Sequence, residues 1–217
     1  MKSKSLFMAF LALFLISMAL FAESGWKRVK NSNGIQVYTR SVAGSDLDEF
    51  KGITVVDARI EVIGEVIRDV PAQSQWMADC LEGRIIKKFS DNDMLVYNVT
   101  DVPWPLDDRD VLVRSRGKID MAKGVVDVVF TSVTDASVPP KKGRVRMKDF
   151  YGRWLLERVD TEKTRVTYII KANPGGSIPA SVANLSSKKI PYETLKNLKK
   201  MAKKQKYVNM AKKKYKF

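Results

Sequence analysis

Asn173-Pro-Gly-Gly-Ser-Ile-Pro179 divides this sequence into two kinds of chain. Two prolines and two glycines in seven residues stop any regular element. Just before it, Thr164 to Ala172 alternates: Val166, Tyr168 and Ile170 fall on one face, and Arg165, Thr167, Ile169 and Lys171 on the other. That is a strand with one buried side. Just after it, the period becomes helical. Val182, Leu185, Tyr192, Leu195, Leu198 and Ala202 lie close to one stripe, while Lys188, Lys196, Lys199, Lys200 and Lys203 favour the other side. Ser177 suits the cap and Pro179 the first turn of such a helix, and Pro191 should kink or restart it.

Working back towards the N-terminus, more strands are predicted. They are Gly152–Asp160, Gly143–Tyr151, Val125–Asp135, Asp110–Lys118, Leu95–Thr100 and Gly83–Ser90. Strands this evenly spaced form a meander and a strongly curved antiparallel sheet. Ahead of them, Ile60, Ile63, Val66 and Ile67 have helical spacing within Arg59–Arg68, which Pro71 ends. Ala72–Cys80 reads as a second short helix carrying Trp76. The chain opens with a short helix or turn from Trp26, then a hairpin of Ile35–Arg40 and Leu47–Val56 introduced by Asn33-Gly34. A long amphipathic helix must bury its stripe, and a curved sheet must cover its concave face. Laying one across the other satisfies both and tends to leave an apolar cavity.

Composition narrows the function. The 217 residues suit a single domain, expected to span 23–217. Met1 to Ser5 carries two lysines, Leu6–Phe21 is uncharged and almost wholly apolar, and Ala22 precedes Glu23. This is the layout of a cleavable export signal over residues 1–22, so a periplasmic location is expected. The 16-residue apolar run is shorter than a spanning helix needs. There is no histidine, which removes Ser-His-Asp and Cys-His catalysis and histidine metal sites. Cys80 is the single cysteine, so no internal disulfide forms, and it reads as a small buried apolar residue. Formal charge is +15, and Lys188–Phe217 holds twelve lysines against one acid, Glu193. Beyond an export signal, anionic lipid headgroups are the natural partner of such a segment, transiently bound. A solvated lysine face that keeps the protein soluble explains it equally well.

Four motifs together resemble the START family, the steroidogenic acute regulatory protein-related lipid transfer domains. Val102-Pro-Trp-Pro-Leu-Asp-Asp-Arg-Asp110 resembles the family's Pro-rich turn and Arg-Asp pair at the start of a central strand. Gly143-Arg-Val-Arg-Met147 resembles its Val-Arg strand opening, and Gly152-Arg-Trp154 its Gly-x-Trp strand. Asn173–Pro179 followed by Val182-Ala-Asn184 resembles the start of its C-terminal helix. The resemblance spans roughly Trp26 to Lys204 and implies an α+β helix-grip (START/Bet v 1-like) fold, a curved antiparallel sheet wrapped around a long C-terminal helix.

It also implies one hydrophobic ligand inside the cavity, such as a lipid, sterol, quinone or fatty acid; the export signal argues against nucleic acid, and a monomer without cofactor or metal is expected. The helix would act as a lid with the loop Thr134–Lys142, whose tip is Val138-Pro139-Pro140. Parity and the helix stripe predict a lining of Tyr97, Val99, Val111, Val113, Ser115, Val128, Phe130, Met147, Trp154, Tyr168, Ile170, Val182 and Leu185. Arg109, amid Asp107, Asp108 and Asp110, is expected to anchor its turn by charge-assisted bonds, with a headgroup role for Arg109 and Asp110 as the alternative. Several START proteins face a charged residue into the cavity from this strand. Here Val111, Val113 and Ser115 hold those positions and Arg114 and Arg116 point away, so a less polar cavity is expected, with Tyr97, Ser115 or Tyr168 supplying hydrogen bonds. A helix-grip enzyme acting on a hydrophobic substrate, needing an inward-facing acid or tyrosine, and a basic surface-adhesion protein acting through residues 205–217 are the competing readings.

Overall fold

A computed structural model describes residues 25–176 and 178–217, with the side chains of 185–187 outside the described set. The expected export segment 1–22 and the expected Ser177 cap therefore lie outside the described residues. The order is β1 (Lys27–Ser32), β2 (Ile35–Ser41), β3 (Asp48–Val56), α1 (Ile60–Arg68), a 3-10 turn (Val70–Gln75), β4 (Cys80–Ser90), β5 (Asp93–Thr100) and β6 (Asp108–Asp120). It continues with β7 (Val125–Ser132), β8 (Arg144–Arg146), β9 (Phe150–Asp160), β10 (Lys163–Ala172), α2 (Ala180–Ser187), α3 (Lys189–Met201) and α4 (Gln205–Tyr215).

The strands form one sheet in the order β1-β2-β3-β10-β9-β7-β6-β5-β4, with β8 pairing parallel to β6. The N-terminal meander thus joins the rest of the sheet through β10, with Phe50 opposite Ile170 and Val56 opposite Thr164. Helix α3 lies in the concave face over β2, β3 and β10. Gly52 sets this contact: a Cβ there would stand 2.6 Å from Leu195 Cδ1 and 3.0 Å from Pro191 Cβ. Leu195 and Leu198 are fully buried as a result. Burying a leucine side chain stabilises by roughly 2 kcal/mol, so this helix is held by its packed face rather than by helix propensity.

Four elements differ from the sequence reading. Lys27–Ser32 is an edge strand rather than a helix or turn; its residues are almost all exposed, so no apolar alternation marks it. Val70–Gln75 is a 3-10 turn that ends at Trp76, not a helix running to Cys80. Gly143–Tyr151 breaks in two, β8 leaving to pair with β6 before β9 begins. The long helix restarts at Lys189, beside the break expected at Pro191, and breaks a second time after Met201. Its stripe is the reason: Leu195, Leu198 and Met201 face the sheet, whereas Tyr207 and Ala211 are buried where α4 packs against α1. A straight helix cannot serve both surfaces, so the chain turns at residues 202–204.

The Asn173–Pro179 stop and the Pro-rich turn meet in space. Arg109, buried at 3% exposure, donates from Nε to Pro174 O at 3.1 Å, from Nη2 to Gly175 O at 3.4 Å, and from Nη1 to Asp107 O. The expected partners were carboxylates; the observed ones are carbonyls. Arg109 ties the start of β6 to the point where the sheet ends and the helices begin.

Candidate functional site

Beside α3, whose Ile190 borders it, the concave face of β5, β6, β7 and β9 covers a pocket of about 140 Å³ that α1 and the 3-10 turn close from the other side. Period-two geometry decides which side chains reach it. On β6 they are Val111, Val113, Ser115, Gly117 and Ile119; on β7, Val126, Val128 and Phe130; on β9, Phe150, Trp154 and Leu156; on β10, Tyr168 and Ile170. Trp154 and Tyr168 stack at 4.0 Å between centroids and 15° between planes, a rigid aromatic floor. Gly152 makes room beside it. A Cβ there would sit 1.9 Å from Phe130 Cε2, so only glycine lets the Phe130 ring lie flat across β9. The Gly-x-Trp motif is therefore one device, a gap for Phe130 and then a floor tile.

The structure brings together Val111, Val113, Ser115, Val128, Phe130, Trp154, Tyr168 and Ile170 of the predicted lining. Tyr97 and Val99 are elsewhere. Asn98 pairs with Val111 and Val96 with Val113, so the pocket side of β5 carries Met94, Val96, Asn98 and Thr100. Tyr97 and Val99 lie on the outer face, in a cluster with Leu95, Leu112 and Val138. Met147 is buried in one apolar cluster with Val111 and Val113 but is not on the pocket wall. Val182 is 48% exposed, and the Leu185 side chain lies outside the described residues. The loop expected to act as a lid is also on the outer face: Val138 is buried there, and Arg146 Nη1 donates to its carbonyl at 3.2 Å.

That outer face holds a polar network instead of a pocket. Arg146 makes a bidentate pair with Asp110, Nε to Oδ1 at 2.8 Å and Nη2 to Oδ2 at 3.0 Å. The Tyr97 hydroxyl donates to Asp110 Oδ2 at 2.8 Å and accepts from Arg144 Nη1 at 2.9 Å. Burial works against the Asp110 charge, but the hydrogen-bonded Arg146 and Tyr97 outweigh it and hold the carboxyl below its usual range. Burial, aided by the bond to Asp110, pushes the Tyr97 phenol up. Arg109 and Asp110 are thus both committed to protein partners.

The polar part of the pocket went unread in the sequence. Arg68 and Asn92 meet on one side of the pocket with Asp91 next to them, and Glu61 lines it from the opposite end of α1. Arg59 and Arg158 pair with Glu61 at 3.4 and 3.3 Å, Lys88 pairs with Asp91 at 2.6 Å, and Arg68 Nη2 donates to Asn92 Oδ1 at 3.4 Å. At the end away from Asn92 stand Gln73, Cys80, Asn98 and Thr100, where Asn98 Nδ2 donates to Gln73 Oε1 at 2.7 Å. Burial pushes the Cys80 thiol up to about 11, so it stays neutral. Asn98 carried a signal: a polar residue inside the apolar run Met94–Val99 is either buried and satisfied or facing a cavity. Three methionines, Met77, Met94 and Met121, also line the pocket. They are flexible gap-fillers, and a wall built from them can give way.

A curved sheet gripping a C-terminal helix, with an apolar pocket beside the grip, defines the helix-grip class. Within that class the chain belongs to the START family, whose START domain model matches residues 8–207. An uncharacterized protein of Pseudomonas aeruginosa is 31% identical over 200 residues, covering 89% of this chain and 98% of that one. The phosphatidylcholine transfer protein of mouse is 28% identical over 166 residues, covering 75% of this chain and 77% of its own length. Among solved structures, the STAR-related lipid transfer protein of Xanthomonas axonopodis superposes with a TM-score of 0.76 at 34% identity, over 83% of this chain and all of that fragment.

Proposed function

We propose that this protein is a non-catalytic carrier that takes one hydrophobic molecule, a lipid or a sterol-like compound, into the pocket between α1 and the concave sheet. The observation that carries the reading is the pocket wall, in which Val, Ile, Phe and Met side chains dominate and the ionisable residues present are already paired. An apolar ligand moving from water into such a wall gains ~25 cal/mol per Å² buried. Relatives whose names record phosphatidylcholine or lipid transfer support the same reading. A volume of about 140 Å³ is below the ~300 Å³ at which ligand pockets begin, so loading pushes the methionine-lined wall outward.

The carrier works as a monomer in the periplasm, after export directed by residues 1–22, and visits anionic membranes. Support for docking comes from exposed lysines at 203, 204, 212, 213 and 216 and from Trp104, 91% exposed between Pro103 and Pro105. Each lysine near an anionic surface contributes about 1 kcal/mol, and tryptophan favours the interfacial layer. The segment 205–217, expected as a lysine-rich extension, is mostly a docked helix whose outer side is basic.

Native mass spectrometry of the protein purified from a secreting host without detergent tests the reading. A stoichiometric adduct that organic extraction releases as a lipid is expected. Empty protein that also takes up no fluorescent lipid or sterol overturns it.

A further inference from the structure

The neutral end of the pocket is a built site. Gln73 comes from the 3-10 turn and Asn98 from β5, and the two amides meet at 2.7 Å across β4. Gly83, the register partner of Asn98, permits this meeting. A Cβ on Gly83 would lie 2.5 Å from Val70 O, 3.1 Å from Gln73 Oε1 and 3.2 Å from Asn98 Nδ2. The missing side chain on β4 is what lets the turn press its glutamine against the strand. Thr100 and the neutral Cys80 thiol border the same end.

The two carboxamides hold four N–H donors and two carbonyl acceptors between them; their mutual bond uses one Asn98 donor and one lone pair of the Gln73 carbonyl, and Asn98 also bonds the Cys80 thiol. The rest can serve a hydroxyl, a carbonyl or an amide, as donor or acceptor. Among the described lining residues this end holds no carboxylate, lysine or arginine; its titratable groups are the Cys80 thiol and, within its electrostatic reach, the Tyr168 phenol, both pushed up by burial, while Arg68 bonds Asn92 and Glu61 pairs with Arg59 and Arg158. From Asp93, where β5 begins next to Asn92, to Asn98 is five positions of strand, which puts roughly 17 Å between Asn98 and the turn that holds Asn92. A charged group buried beside Gln73 and Asn98 would have amide dipoles but no counter-ion, whereas a neutral polar group would find its bonds waiting.

Resting on the carrier reading above, we propose that Gln73 and Asn98 form a specificity subsite for a neutral hydrogen-bonding group of the ligand, a hydroxyl, carbonyl or amide on an otherwise apolar body. The pocket then selects against ligands whose buried polar group is a phosphate or a carboxylate. This departs from what the phosphatidylcholine-transfer relatives would suggest, and it assigns the difference to the amide pair.

The test uses three probes with the same sixteen-carbon chain: hexadecanol, hexadecanoate and hexadecanoyl lysophosphatidylcholine. Each is titrated into the full exported protein, reading the change in tryptophan fluorescence, to which Trp154 in the pocket floor contributes beside Trp26, Trp76 and Trp104. The alcohol is expected to bind about tenfold tighter than either charged probe, the ratio that one satisfied polar contact supplies. Gln73→Met and Asn98→Leu are each expected to weaken the alcohol about tenfold and to leave the charged probes within about twofold. Charged probes binding as tightly as the alcohol overturn the subsite while leaving the carrier reading in place, as does a Gln73→Met protein of unchanged melting temperature that holds the alcohol undiminished. If Asn98→Leu fails to fold, Gln73→Met alone decides, since its side chain sits on the turn and keeps its volume. If the unaltered protein binds none of the three, the carrier reading falls and the subsite with it.

Discussion

The two halves of the concave face use the same strand chemistry to opposite ends. Over β2, β3 and β10 the gap is solid: Gly52 brings α3 close, and Leu195 and Leu198 are fully buried against Ile35, Val37 and Phe50. Over β5, β6 and β7 the facing residues Val96, Val111, Val113 and Val128 have equal apolar character, yet what they face is a pocket. The hydrophobicity of a strand therefore does not say whether it packs or encloses. What decides is the partner: the close-packed α3 over one half, and over the other α1 and the 3-10 turn, which stand off the sheet and leave a space bordered by Met77 and Met121.

Equivalent truncations on the two sides should expose the difference. Leu195→Ala removes a side chain from a filled core and should cost about 3 kcal/mol, whereas Val113→Ala enlarges a space that already exists and should cost about 1 kcal/mol. Denaturant unfolding checks both, and equal losses would show that the pocket half is packed as tightly as the helix half. A similarly large effect is expected behind the pocket wall. Asp110→Asn strands Arg146, 13% exposed, and should cost about 3 kcal/mol near neutral pH. Because the Asp110 carboxyl lies below its usual range in the folded protein, its stabilisation is complete above the ordinary carboxylate range. It is lost as pH falls through the lowered folded value. The gap between the two proteins should therefore narrow on acidification, and a gap that stays constant with pH would mean the pair is not the source. The smallest effect concerns the seam where α4 rests on α1. The Tyr207 hydroxyl bonds Asp69 at 3.2 Å, and Tyr207→Phe should cost about 1 kcal/mol, read as a small drop in melting temperature. A gain in the rate of probe uptake beyond that drop would place the pocket's opening at this seam, since Tyr215 of the same helix borders the pocket.

Where alternation was clean, the sequence could be read to the level of the pocket wall. Val111, Val113 and Ser115, or Tyr168 and Ile170, reach the pocket because their neighbours Arg114 and Lys171 have no place there. β5 defeated that reading for a physical reason. Met94–Val99 is apolar on both faces except at Asn98, because loop residues such as Val138 cover its outer side, so parity has nothing to distinguish. Only the register with β6 places Asn98, not Tyr97, towards the pocket. The polar ends were illegible for another reason: a glutamine or arginine that lines a pocket has the same letter as one on the surface. The break before α4 has neither proline nor glycine to announce it and follows from which surface each apolar residue finds.

The closure of the sheet between β3 and β10 carries a consequence for folding kinetics. Val56 and Thr164 are partners although about a hundred positions separate them, and such pairing pays its loop-closure entropy before any contact rewards it. The pocket-bearing strands β4 to β9 all lie inside that loop. Their local hairpins can form early, including the β9–β10 pair that stacks Trp154 on Tyr168, but the ladder from β10 back to β3 waits for a slow, late step. During that interval the valines of the hollow half are open to water and to any strand edge nearby, so aggregation during refolding should begin there and not in the half that α3 fills.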